Sequence, residues 1–265
     1  MKKICLSIGY PIKHSLSPLM HNAAFKKLGI DDQFIYLSAE VKPENLKMAI
    51  EGMKGFDIKG MSVTIPYKQV IMKYLDKIDK DAETIGAVNT IVNKDGKLTG
   101  YNTDWTGALT ALEKRVKLKG KKVALIGAGG AARAIVYGLT KKGAIIKIFN
   151  RSIDKAKQLA KAFRCEYTDL KYLDEIVKMD IIINATSVGM NKDKSPIDKK
   201  FLRENHIIFD VVYSPKETKL IREAKQKGAK IVYGYEMLLY QGIAQFELYT
   251  GMKAPSETMR KTLED

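Results

Sequence analysis

The sequence predicts an α/β protein built around a doubly wound parallel sheet, and three features carry that prediction. A short apolar run, Val123–Ile126, stops at Gly127 and leads through small residues into an apolar stretch, Ala131–Leu139, which reads as strand, tight turn and helix. Further short apolar runs follow at Ala144–Phe149, Met179–Asn184, Ile207–Val211 and Lys230–Tyr233, with helical segments Ser152–Ala162 and Lys216–Lys227 among them. Strands alternating with helices assemble into parallel sheets. Finally, Gly127, Gly129 and Ala132 satisfy G-x-G-x-x-G/A at the first strand-to-helix turn. The first glycine of that pattern permits the turn, the second lets the backbone approach a pyrophosphate, and a small third residue lets helix and strand pack closely. The helix N-terminus adds free N–H groups and a dipole that favours phosphate charge. A lone match of this kind is weak; here the flanking strand, helix and second strand select a dinucleotide site over a plain glycine turn.

The end of the second strand narrows the cofactor. An NAD site carries Asp or Glu about 20 residues after the first glycine, bonded to the ribose 2′-OH. This chain has Phe149-Asn150-Arg151-Ser152 there, with Lys155 one turn on and no carboxylate in that place. A guanidinium can stack on adenine and fork onto a 2′-phosphate, and an ammonium adds a point charge. The expected cofactor is therefore NADP rather than NAD.

With 265 residues the chain can form one large or two modest domains. Apolar residues make up 45% and charged residues 29%, ordinary for a globular protein. No apolar run approaches the roughly 20 residues that span a bilayer. Met1-Lys2-Lys3-Ile4-Cys5 reads as the start of a strand rather than a signal peptide, and Cys5 and Cys165 form no disulfide framework, so a cytoplasmic protein is expected. The net charge of +16 is concentrated in residues 105–165, which hold fifteen Lys or Arg against two acids, Glu113 and Asp154. Such a surface attracts phosphate-bearing ligands. The basic residues are scattered and no nucleic-acid module accompanies them, so no specific nucleic-acid partner is expected. The three histidines and two cysteines lack metal-ligand spacing.

Taken in order, Ile4–Ile8 is a strand ending at Gly9. Ser17 and Pro18 form an N-cap and N1 pair for a helix through His21, Ala24 and Leu28. Ser15 has no such structural task, and two hydroxyls two residues apart beside a helix start can bind a small carboxylate. Phe34–Leu37 is a strand, and Pro43–Met53 a helix closed by Gly55. Ser62–Ile65 reads as a strand with Ser62 and Thr64 on one face, ended by Pro66. Lys68 would then lie in the first turn of a helix, Tyr67–Leu75, where the dipole opposes it. That leaves two readings open, an exposed lysine or a functional one. Asp76–Glu83 is charged. Ile85–Asn93 reads as a strand with Asn89 between apolar neighbours, Asp95-Gly96 as a hairpin turn, and Lys97–Tyr101 as the return strand. Asp104 is a natural N-cap for a helix Trp105–Lys114. Asn184–Met190 puts polar and small residues at a strand's C-terminal edge, where open parallel sheets bind ligands. A last helix, Met237–Tyr249, carries Gln241 on its early turns.

The combination of motifs resembles the shikimate dehydrogenase family. The matching pieces are His14–Pro18, Val63–Lys68, Gly86–Thr90, Tyr101–Asp104, Gly127–Arg133, Asn150-Arg151, Asn184–Met190 and the segment Gly234…Met237…Gln241, in family order over nearly the whole chain. The resemblance implies an N-terminal α/β substrate domain, residues 1–104, to which a C-terminal segment, 237–265, returns. It implies a Rossmann-like NADP domain over 105–236, with the active site in the cleft between the two. It implies reversible reduction of 3-dehydroshikimate to shikimate by NADPH, a step of aromatic amino-acid biosynthesis, in a monomer or homodimer with no membrane partner. Ser15 and Ser17 would hold the substrate carboxylate; Thr64, Asn89, Tyr213 and Gln241 would bind elsewhere on the substrate; Lys68 and Asp104 would be the catalytic pair. Gly127, Ala128, Gly129, Gly130 and Ala131 would hold the pyrophosphate, and Asn150, Arg151, Ser152 and Lys155 the 2′-phosphate side. Thr186, Val211, Gly234 and Met237 would line the cofactor. In this scheme the ammonium of Lys68 gives a proton to the reduced oxygen, and oxidation in the reverse direction rises at alkaline pH. One departure is Ser62, where the family commonly has Asn. The rival readings are an NAD(P)-dependent quinate/shikimate dehydrogenase and, from another class, a non-catalytic dinucleotide- or nucleic-acid-binding protein.

Overall fold

The structure, a computed structural model, describes residues 1–13 and 15–264. The chain divides into two compact units, Met1–Thr103 together with Leu239–Asp265, and Asp104–Leu238. His14, part of the first family motif, lies outside the described residues.

The first unit holds a mixed six-stranded sheet. Its strands are β1 (Lys3–Gly9), β2 (Phe34–Glu40), β3 (Gly60–Val63), β4 (Lys77–Ile78), β5 (Thr90–Lys94) and β6 (Lys97–Tyr101), in the order β2-β1-β3-β5-β6-β4. β1 runs parallel to β2 and β3, and β3 runs antiparallel to β5, which puts Ser7 beside Ser62 and Ser62 beside Thr90. The β5–β6 hairpin turns at Asp95-Gly96, both in the left-handed region. On one side, Ile50 and Met53 of α2 (Leu46–Gly55) join Ile8, Met61, Val63, Ile71 and Leu98 in an apolar core. Elsewhere in the unit an aromatic cluster joins α1 (Ser17–Lys27) to the sheet and to the chain's last long helix, α8 (Gly234–Thr250), through His21, Phe25, Tyr36, Phe246 and Tyr249. A final helix, α9 (Ser256–Glu264), packs on α1 and had no counterpart in the sequence reading.

Three local expectations are corrected. Lys68 does not open a helix: it sits on a turn, followed by a short 3-10 segment, Val70–Tyr74. The Lys68 carbonyl accepts the Val88 N–H at 2.7 Å instead of serving a helical ladder, so the dipole argument falls away. The expected strand Ile85–Asn93 is divided. Asp79 caps a short helix, α3 (Lys80–Ile85), by accepting the Asp81 N–H, and Gly86 ends it at φ 69°, so Asn89 lies just before β5 rather than inside a strand. Ser17 is the first residue of α1, with Leu16 at the cap position and no side-chain cap.

The second unit is a six-stranded parallel sheet: β7 (Lys122–Ile126), β8 (Ile145–Phe149), β9 (Glu166–Thr168), β10 (Ile181–Asn184), β11 (Ile207–Asp210) and β12 (Lys230–Val232), in the order β12-β11-β10-β7-β8-β9. The central strands are buried on both faces, which explains their unbroken Ile and Val runs. The unit also holds helices α4 (Asp104–Glu113), α5 (Gly130–Lys141), α6 (Ile153–Phe163) and α7 (Lys219–Gln226). Strand order reverses at β7, with β8 on one side and β10 on the other. The crevice beyond the carboxyl ends of β7 and β10 is the switch point at which a doubly wound sheet binds its ligand.

Candidate active site

In the first unit the polar residues meet around Asn89. Its Oδ1 accepts the Thr103 backbone N–H at 2.7 Å and the Thr90 hydroxyl at 2.8 Å. Its Nδ2 donates to Thr103 Oγ1 at 2.9 Å and to Gln241 Oε1 at 3.3 Å. All four residues are buried. The Val63 N–H binds the Asn89 carbonyl at 2.7 Å, and Val88 binds Lys68. The backbone thus ties the end of β3, the Lys68 turn and the Asn89 segment together, with Gln241 added from α8. Thr64, half-buried, follows β3, and Gly9 makes room for it: a Cβ on Gly9 would lie 2.5 Å from Thr64 Cγ2. Ser15 is half-buried and Ser17 buried. The sequence left Ser15 without a structural task, yet its Oγ accepts the Ser17 N–H at 3.4 Å.

Next to this cluster, Ser62 gathers three residues that sequence reasoning overlooked: Tyr36, Gln245 and Tyr249 are each buried and hydrogen-bonded to its hydroxyl. His21 stacks on Tyr36, ring centroids 4.4 Å apart, and neither ring nitrogen meets a hydrogen-bond partner in good geometry. Burial pushes its pKa down to about 3, opposed in part by Gln245, so the ring is neutral at working pH.

In the second unit the glycine turn closes the end of β7. Gly127 has φ 114°, and a Cβ there would stand 2.9 Å from the Ala185 carbonyl oxygen, so the end of β10 approaches as closely as glycine allows. Gly129, extended and at the cap of α5, has open space where a Cβ would project and provides no side-chain cap. The cap residue therefore takes none of the first-turn N–H groups of α5, an arrangement that suits an anion at a helix N-terminus. Asn150 Nδ2 donates to the Ser152 carbonyl, and Arg151, Ser152 and Lys155 are exposed beyond β8. These features fit a dinucleotide phosphate chain with a charged 2′ substituent.

Thr186 donates through both N–H and hydroxyl to Asn184 Oδ1, and its oxygen accepts the Val188 N–H. Asn184 is held by Asp210, a buried carboxylate that also accepts from the Val212 N–H and the Thr218 hydroxyl. Burial raises the Asp210 pKa to about 6. Asp210 thus anchors the loops bearing Thr186, Val211 and Tyr213, a role without a sequence signal because its partners follow different strands. Tyr213 is half-buried, and desolvation raises its phenol to about 12. Gly234 lets α8 start against Val211 and Val212, where a Cβ would lie 2.4 Å from the Val212 carbonyl oxygen. Met237, one turn on, is buried. Asp104, buried, opens α4 directly after Thr103. Among the described residues no group of His, Cys, Asp and Glu could hold a metal, and no helix is long and apolar enough to cross a membrane.

Comparison with known proteins finds relatives over nearly the whole chain. Residues 7–91 match the model of the shikimate dehydrogenase substrate binding domain, 110–212 that of shikimate / quinate 5-dehydrogenase, and 234–264 that of the shikimate 5'-dehydrogenase C-terminal domain. The NADP(+) shikimate dehydrogenase of Pyrococcus furiosus is 48% identical over 260 residues, covering 98% of this chain and 94% of that protein. That of Methanocaldococcus jannaschii is 47% identical over 276 residues, covering 99% and 96%. A crystal structure of a shikimate dehydrogenase in complex with NADP+ superposes with a TM-score of 0.93 at 44% identity, covering 100% of this chain and 95% of that one.

Proposed function

This chain belongs to the shikimate dehydrogenase family, and we propose that it catalyses the reversible, NADPH-dependent reduction of 3-dehydroshikimate to shikimate, a step of aromatic amino-acid biosynthesis. The observation that carries the proposal is the near-full-length match, at 48% identity, to an enzyme named for NADP(+). The residues beyond β8 support the same cofactor, since Arg151 stands where an NAD site needs an acid.

Gly127–Ala131 and the α5 N-terminus hold the pyrophosphate, while Asn150, Arg151, Ser152 and Lys155 meet the 2′-phosphate. Thr186, Val211, Gly234 and Met237 line the rest of the cofactor. When bound, NADPH supplies a hydride to the ring ketone. Ser15 and Ser17 bind the substrate carboxylate; Thr64, Asn89, Tyr213 and Gln241 bind its remaining polar groups. Lys68 and Asp104 are the catalytic pair. The Lys68 ammonium meets the charge that develops on the carbonyl oxygen and gives it the proton that completes the alcohol. In the reverse direction neutral Lys68 takes that proton back. Asp104 holds the substrate hydroxyl next to the reacting carbon.

The test follows NADPH oxidation by absorbance with 3-dehydroshikimate, with NADH in parallel. Fast turnover with NADPH and little with NADH is expected. No turnover with either cofactor, in protein shown to be folded, would overturn the substrate assignment.

A further inference from the structure

β12 is an outer strand of the second sheet, and its free edge carries a charged pair that the proposed reaction does not use. Lys230 turns its N–H inward, to the His206 carbonyl at 3.0 Å, so the next residue, Ile231, faces away from β11. On that side Arg115 Nε donates to the Ile231 carbonyl at 3.4 Å, and Glu236 Oε1 accepts the Tyr233 N–H at 3.2 Å. One terminal nitrogen of Arg115 joins the two halves, 3.1 Å from Glu236 Oε1 and 3.3 Å from Oε2. A residue of a neighbouring parallel strand would make the same two backbone bonds, giving its N–H to the first group and its carbonyl to the second, two residues on. The pair thus acts as one residue of a seventh strand.

What it holds is the entry to α8. The ladder with β11 ends at Val232, and Gly234 begins the helix. Glu236 binds the residue between them twice. Its carboxylate takes the Tyr233 N–H and its own N–H meets the Tyr233 carbonyl at 3.0 Å, which closes the turn as the returning half of a capping box does. Glu236 is buried, and a buried carboxylate needs a cation that stays with it. Arg115 supplies one from the segment after α4. The helix start so fixed leaves no space beside β11: a Cβ on Gly234 would lie 2.7 Å from the Val211 carbonyl oxygen and 2.4 Å from that of Val212.

We infer that Arg115 and Glu236 are a positioning pair for the cofactor: by holding Tyr233 they set Gly234 and the first turn of α8 against the end of β11, beside the nicotinamide half of the dinucleotide. The strand order gives the side. The residues assigned to the 2′-phosphate follow β8, on one side of β7, so the other half of the dinucleotide extends the opposite way, toward β10, β11 and β12. This deepens the proposed function and rests on its binding mode.

The test compares NADPH with 2′,5′-ADP, which carries the 2′-phosphate end and no nicotinamide. Dissociation constants for both are measured by titration calorimetry on wild type, Glu236→Met, Arg115→Ala and, as the conservative control, Glu236→Gln. Glu236→Met puts an apolar side chain in a buried place and leaves Arg115 at the surface, so the variant should fold. It removes the acceptor of the Tyr233 N–H and should weaken NADPH about ten-fold, the loss of one charged hydrogen bond, while 2′,5′-ADP binds as to wild type. Arg115→Ala reaches the pair from its other member and should act in the same direction. Glu236→Gln keeps an oxygen for the Tyr233 N–H and should stay within about three-fold of wild type. Equal losses for the two ligands would make the pair purely structural and overturn the inference, as would unchanged NADPH affinity in Glu236→Met and Arg115→Ala. No substrate enters these titrations. A wild type that binds NADPH without reducing 3-dehydroshikimate would therefore refute the proposed reaction alone, and the variants would still decide the role of the pair.

Discussion

Lys68 owes its position to the backbone around it rather than to a helix. Its carbonyl is bound by Val88 and the neighbouring Asn89 carbonyl by Val63, so the turn is held from both sides. A truncation at the side chain should leave that frame intact. Lys68→Ala is expected to lower kcat by about 10²–10⁴, the usual worth of a general acid, while NADPH binds as in wild type. Wild-type turnover in the variant would remove Lys68 from the chemistry. Arg151 is exposed and belongs to a local pattern, so its reading needed only the spacing from Gly127. Arg151→Ala should raise KM for NADPH about ten- to a hundred-fold, the loss expected for a charged hydrogen bond, with little change for NADH. Equal effects on both cofactors would refute the 2′-phosphate role. Ser62 is the opposite case. Its partners stand 26, 183 and 187 positions away in the chain, so no local pattern announces them.

Elements were legible where one physical signal dominated. The strands β7, β10 and β11 were read within one or two residues because a strand buried on both faces is a plain apolar run, and β8 was read as closely although Ile145 at its start is exposed. The β5–β6 hairpin was legible from Asp95-Gly96. The expected strand over 85–93 was misread because Ile85 and Val88 suit a strand and a helix end equally, and the deciding residues, Asp79 and Gly86, flank the segment. The short strands β4 and β9, of two and three residues, carry too little pattern to be seen. The glycine turn after β7 separates two roles that sequence alone merges. Gly127 is in a left-handed conformation against the Ala185 carbonyl, so Gly127→Ala should destabilise the protein by roughly 1–3 kcal/mol and weaken NADPH binding with it. Gly129 has an ordinary extended conformation and open space around it. Gly129→Ala should therefore melt like wild type yet bind NADPH more weakly, because its methyl group would project into the space proposed for the phosphates. Thermal melts paired with NADPH titrations check both. A Gly129→Ala protein with wild-type affinity would move the phosphate site elsewhere.

At the scale of the whole molecule, the two units carry buried titratable groups of opposite sign. His21, in the first, has its pKa lowered from 6.5 to about 3 by burial. The unfolded chain therefore binds a proton that the folded one refuses, and the stability linked to His21 is complete above pH 6.5 and lost as pH falls toward 3. The groups facing it, Tyr36 and Tyr249, stay neutral through that range because burial raises their pKa values. Asp210, in the second, has its pKa raised from 3.8 to about 6. Its contribution is complete below 3.8 and lost as pH rises through 6. Acid should thus weaken the protein through His21 while relieving it at Asp210. His21→Phe keeps an aromatic ring on Tyr36 and removes the titration. Relative to its own value at pH 7.5, the variant should be about 2 kcal/mol less acid-sensitive at pH 5, from 1.4 kcal/mol per pH unit across the shortfall below 6.5. Asp210→Asn should steepen the loss over pH 6 to 4, since the compensating gain disappears. Urea unfolding followed by circular dichroism at pH 4, 5, 6 and 7.5 measures both slopes. Parallel curves for His21→Phe and wild type would mean that His21 takes up its proton without unfolding, and that its cavity opens to water before the first unit gives way.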